Sequence, residues 1–123
     1  MNENQNERKL NISIGGYPGP WYSVSLEPDG RLKYIEQTED GETEKFVTPS
    51  ESDWERFRRS CQRIGIDNWV DIYMQPACDG TSWSFDIELD SLKSEVKGDN
   101  HYPSGFEAFL SATRRLLGGL NFG

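Results

Sequence analysis

Trp83-Ser84-Phe85-Asp86-Ile87-Glu88-Leu89-Asp90-Ser91-Leu92-Lys93-Ser94-Glu95-Val96 is the stretch that decides the fold. Trp83, Phe85, Ile87 and Leu89 alternate with Ser84, Asp86, Glu88 and Asp90. A period of two puts the apolar set on one face of a half-buried strand. A tight turn at Asp90-Ser91 pairs Leu89 with Leu92, Glu88 with Lys93 and Phe85 with Val96, although it also sets Asp86 opposite Glu95. Gly98-Asp99-Asn100 ends the returning strand.

On the C-terminal side, the spacing predicts a helix starting near Pro103 or Ser104. Its apolar stripe is Phe106, Phe109, Leu110, Thr113, Leu116 and Leu117, and Gly118-Gly119 ends it. On the N-terminal side, Ile66 to Thr81 reads as irregular. Before it, Thr48-Pro49-Ser50-Glu51 supplies an N-cap, a proline in the first turn and a glutamate placed for a capping box. Trp54, Phe57, Cys61 and Ile64 then form one helical stripe, which Gly65 stops. The first half of the chain reads as strands. Leu10 to Ile14 is one, and Trp21 to Glu27 alternates Tyr22, Val24 and Leu26 against Ser23, Ser25 and Glu27. Arg31 to Gln37 and Glu42 to Val47 follow. A three-residue Pro28-Asp29-Gly30 loop pairs Glu27 with Arg31, Leu26 with Leu32 and Val24 with Tyr34, which keeps apolar side chains on one face. Asp40-Gly41 closes a second hairpin, with Tyr34 meeting Val47, Ile35 meeting Phe46 and Glu36 facing Lys45.

The expected architecture is therefore α+β, an antiparallel sheet of four to six strands with two helices on one face, in the order β-β-β-β-α-β-β-α. Residues 1–9 are read as a disordered tail and 10–123 as a single domain. The chain has 123 residues, 34% of them apolar, and its four Trp, five Tyr and six Phe make an aromatic core the economical choice.

Composition excludes several classes. Apolar runs reach only two or three residues, as in Ile72-Tyr73-Met74, so no stretch matches the ~18 apolar residues of a membrane helix. The polar start lacks a secretory signal, and a cytoplasmic protein is expected. Thirteen basic against 21 acidic residues give a net charge of −8. That balance disfavours nucleic acid and anionic membrane surfaces, and it permits a basic protein partner. Cys61 and Cys78 are read as free buried thiols in preference to a bridge. One His and two Cys cannot complete a four-ligand zinc site without carboxylates, so no metal or cofactor is implied.

Several clusters invite a chemical reading. Asp86, Glu88 and Asp90 share one strand face, but a single strand cannot wrap a cation that wants six or more oxygens. A solvated face with partners such as Lys93 is preferred. The acids from Asp67 to Asp79 lack the oxygen spacing of a calcium loop. Arg56, Arg58, Arg59 and Arg63 on the first helix, and Arg114 and Arg115 on the second, are read as solvated, with Glu55 four residues before Arg59. Gly15-Gly16-Tyr17-Pro18-Gly19-Pro20-Trp21-Tyr22 has ligand-like glycines and rings but no phosphate-loop spacing, and a wide strand connection is preferred. A Cys78–His101 nucleophile pair, with Asp79 and Asp99 nearby, would need two loops to meet. The last group, Trp69, Tyr73, Asp79, Asn100, His101 and Tyr102, is the candidate binding site, set against a structural role in turns and core.

Trp54-x-x-Phe57, Trp69, Tyr73, Asp79-Gly80-x-x-Trp83, Gly98-x-Asn100-x-Tyr102-Pro103 and Phe106-x-x-Phe109 form a pattern over roughly Ile12 to Leu117. It resembles a family of small uncharacterised bacterial proteins. The resemblance implies a bacterial source and a shared fold, and it assigns no activity. Two functions follow from the residues. The first is a non-enzymatic interaction domain for a protein partner, with an acidic inhibitor or immunity-type protein as one form. The alternative is small-ligand binding or hydrolysis in a cleft between loops 66–81 and 98–103.

Overall fold

The computed structural model describes residues 8–16, 19–69, 81–99 and 101–123, together with the backbone of 72–74. Among the described residues, seven strands form one sheet: β1 (Arg8–Gly16), β2 (Trp21–Leu26), β3 (Leu32–Thr38), β4 (Gly41–Val47), β5 (Ile72–Met74), β6 (Thr81–Leu89) and β7 (Leu92–Asp99). The order across the sheet is β4-β3-β2-β1-β6-β7-β5. Six strands are antiparallel to their neighbours, and three-residue β5 runs parallel to β7 at the edge. Helix α1 (Glu51–Ile64) follows β4, and α2 (Phe106–Leu116) follows β7.

The expected α+β order holds. The segment 66–81, expected to be irregular, also contributes a 3-10 turn at Ile66–Asn68 and the edge strand β5. Arg8 and Lys9, expected in the tail, instead pair with Leu89 and Glu88. Residues 1–7 lie outside the described residues.

Where burial discriminates between registers, the expected one forms. Leu89 faces Leu92, Phe85 faces Val96, and Asp86 does face Glu95. Lys9 Nζ sits 2.9 Å from Asp86 and offsets that like-charge pair. Asp90 turns the chain at a φ of 54°, a left-handed conformation that Asp tolerates better than most residues. Leu26 faces Leu32 and Val24 faces Tyr34, with the Glu27 amide donating to the Arg31 carbonyl.

The β3–β4 hairpin differs from expectation. Its turn is Glu39-Asp40, so Tyr34 faces Lys45 and Val47 faces Leu32. The pairing moves by two residues and each side chain keeps its face. Every β4 residue except Val47 is exposed, so no burial energy separates the two registers. The α1 cap also moves by two. Ser50, not Thr48, is the N-cap, and Ser50 and Asp53 form the reciprocal capping box. Gly65, at a φ of 84°, ends α1 as expected. Helix α2 begins at Phe106 behind Gly105, two to three residues later than its sequence suggested.

Both helices cover the same sheet face. Leu10, Ile12, Ile14, Val24, Tyr34, Trp83, Phe85, Ile87 and Val96 point inward, into one cluster with Trp54, Phe57, Phe106 and Phe109. The rings interlock, with Trp83 and Phe106 centroids 4.7 Å apart and Phe85 and Phe109 4.8 Å apart. At roughly 25 cal/mol per Å² of buried apolar surface, this layer is the main source of cohesion between helices and sheet. Beyond α2, the chain folds back and buries Phe122 against Tyr22.

Candidate functional site

An open cleft of about 750 Å³ lies where the ends of β1 and β6 meet the start of α2. Ile14, Phe106 and Leu110 line its apolar part. Gly15 and Gly16 at the end of β1, with Gly19 and Pro20 of the connection that follows, border one side, and Tyr102 and Pro103 the other. The local sequence explains the opening. Gly15, Gly16, Gly19 and Pro20 present no large side chain to this side of the cleft, and Gly105 leads into α2 at a φ of 90°, which an L side chain resists. A Cβ at Gly105 would also stand 3.0 Å from Ile64 at the end of α1.

The polar groups of the described lining are the phenols of Tyr22 and Tyr102, the Thr81 hydroxyl and the Glu107 carboxylate. Burial pushes the Tyr22 phenol above its ordinary pKa, and the facing Glu36 carboxylate adds to the rise. Tyr34, behind Tyr22, is pushed up to about 12 by burial first and by Glu36 second. Its hydroxyl donates to the Asn121 carbonyl at 2.7 Å and pins the C-terminal segment. Both phenols therefore stay neutral hydrogen-bonding groups at physiological pH. Glu107 Oε1 stands 4.0 Å from Arg114, too far for a hydrogen bond, and its side chain is 86% exposed. The carboxylate keeps its accepting capacity at the mouth of the cleft.

The candidate residues named from sequence separate. Tyr102 lines the cleft with its ring 5.1 Å from that of Phe106. Trp69 is half-buried in the core, its centroid within 6.5 Å of those of Trp83, Phe85, Phe106 and Phe109. The exposed His101 contributes its carbonyl, which accepts from Trp83 Nε1 at 3.0 Å and holds the approach to α2 against the sheet. The backbone of Tyr73 pairs with Gly98 in the edge ladder. Asp79 and Asn100 lie outside the described residues, as does Cys78 of the Cys78–His101 pair. Cys61 is fully buried, and burial lifts its thiol to about 12, far from a reactive thiolate.

Among the described residues of the expected loop pair, Thr81, Tyr102 and Pro103 border the cleft, across from the end of β1 and the start of β2. Ile14, Tyr22, Leu110 and Glu107 were missed as site residues. Their one sequence signal was the Gly15–Tyr22 stretch, read as a connection. Other clusters are solvated. Glu55 binds Arg58 and Arg59, and Asp53 binds Arg56. Among the described residues, no group of three or more His, Cys, Asp or Glu could hold a metal ion. None of their helices is long and apolar enough to cross a membrane.

No family model matches the chain, and no curated protein matches it.

Proposed function

We propose that this chain is a non-enzymatic binding domain of the bacterial cytoplasm that takes a basic protein partner in the cleft, as an acidic inhibitor or immunity-type protein does. The observation behind this reading is the pairing of an apolar, aromatic-edged cleft with a carboxylate at its mouth. An arginine from the partner fits that pattern. Its methylene stem would lie along Leu110 and Phe106, and its planar guanidinium would stack on Tyr102 and reach Glu107. The net charge of −8 adds long-range attraction for a basic protein and repels the phosphates of nucleic acid.

A free small ligand is the second reading. It is favoured by the cleft volume of about 750 Å³, inside the ~300–1,000 Å³ typical of ligand sites. The Tyr22 and Tyr102 phenols, a threonine and a solvated carboxylate are suited to orienting a guest. A hydrolytic role for the same region would draw on His101, and His101→Ala separates it from binding.

The test is capture of partner protein from a bacterial lysate by wild-type chain, Tyr102→Ala and Glu107→Lys, at ~0.05 M and ~0.5 M salt, where the Debye length falls to a few ångströms. A basic protein should be retained at low salt, released at high salt, and lost with either substitution. Retention indifferent to both salt and substitution contradicts the proposal.

A further inference from the structure

The sheet face away from the helices carries a second arrangement, built around Trp21. Gly15 and Trp21 are cross-strand partners. A Cβ at Gly15 would stand 2.4 Å from the Trp21 ring, so only glycine lets the indole lie down on the neighbouring strand. One indole face is thereby pressed on backbone while the residue remains 43% exposed. A groove runs along each side of the ring. One, of about 410 Å³, is bordered by Ser13, Ser23, Ile35, Gln37, Thr38 and Glu39. The other, of about 290 Å³, is bordered by Ser13, Ser82, Ser84, Lys97 and Asp99. Together they cross β3, β2, β1, β6 and β7, a width of about 19 Å at the usual strand spacing.

The chemistry of these grooves is unlike that of the cleft. Four serine hydroxyls, a threonine hydroxyl, an amide, one ammonium and two carboxylates border the grooves around a single flat ring. The polar groups are already organised, because Ser82 Oγ donates to Asp99 Oδ1 at 2.5 Å and the Ser13 and Ser84 hydroxyls are 3.4 Å apart. Lys97 and Asp99 balance in charge, so the groove beside them favours an uncharged guest. A supported indole with an open, electron-rich face attracts polarised C–H groups, and the hydroxyls on either side can both donate and accept. From these features we infer that the Trp21 grooves bind a neutral saccharide. One sugar ring stacks its C–H face on Trp21, and its hydroxyls bond to Gln37 on one side and to Ser82 and Asp99 on the other. Gly15 and Tyr22 touch both this site and the cleft, and the inference stands whether or not a protein partner binds in the cleft.

The test uses the full 15N-labelled chain titrated with cellohexaose, xylohexaose, maltohexaose and chitohexaose, each to ~10 mM, which reads dissociation constants down to the weak millimolar range. Adenosine serves as a flat, uncharged control. At least one oligosaccharide should shift the Trp21 indole N–H and the Ser13 and Ser84 amides saturably. Trp21→Ala should weaken that binding at least about tenfold, while Tyr102→Ala leaves it unchanged. Gln37→Ala, an exposed position, should also weaken it without altering the fold. The inference is overturned if no oligosaccharide moves these signals, if the shifts survive in Trp21→Ala, or if adenosine alone produces them.

Discussion

Replacing Phe109 by alanine should cost the protein much of its stability. Phe109 is 1% exposed, and its ring meets those of Phe85 at 4.8 Å, Trp69 at 5.8 Å, and Phe57 and Phe106 at 6.4 Å each. It joins both helices to the sheet. Truncating a buried Phe to Ala costs about 3–5 kcal/mol in transfer energy and cavity. The ring pairs, worth ~0.5–1.5 kcal/mol each and not additive, place this site at the upper end. A domain of 123 residues has roughly 6–18 kcal/mol in total, so the variant should fold but lie close to its limit. With a urea slope of ~2 kcal/mol per molar, the midpoint should fall by about 2 M at unchanged slope. Phe46→Ala is the control. Phe46 is 45% exposed beneath the Arg31 guanidinium, and its loss should cost about 1 kcal/mol or less. A Phe109→Ala loss of about 1 kcal/mol, or equal losses at both positions, would refute the ring layer as the source of cohesion.

Tyr34 gives the fold an alkaline limit. Its folded pKa of about 12 exceeds the ordinary phenol value of 10, so its contribution is intact below pH 10 and is lost as pH rises toward 12. Thermal unfolding from pH 8 to 12 should show this decline, and Tyr34→Phe should be less stable at pH 8, having lost the bond to Asn121, but flatter with pH. Cys61, raised to about 12 by burial, should resist a thiol reagent in native protein. In a Cys78→Ser background, labelling should appear only with denaturant, and rapid native labelling would show that α1 does not pack as described.

The parts of the fold legible in sequence are those where burial chooses. Leu89 opposite Leu92 and Val24 opposite Tyr34 follow from keeping apolar side chains on one face. β4 carries no such constraint, so its register was displaced by a turn with equally plausible residues. The capping error at α1 has a similar origin. Thr48 and Ser50 both have cap-competent hydroxyls, and the choice fell to Asp53 reaching back to the Ser50 amide. Trp69 shows the difficulty for sites. A large ring between Asn68 and Val70 suggests a binding loop, but distant rings of β6 and α2 enclose it. The cleft was harder still, because Ile14 and Leu110 lie nearly a hundred residues apart and only the packing of α2 on the sheet places them side by side.

Site-specific photo-crosslinking in bacterial cells tests the binding role of the cleft most directly. A benzophenone side chain would be placed at Tyr102, 44% exposed on the rim, and separately at Ser91, in the exposed turn at the opposite end of β6. A protein adduct is expected from position 102 and none from position 91. An adduct from 91 alone, or one from 102 that persists when Glu107 is reversed to lysine, would contradict the cleft as the recognition site.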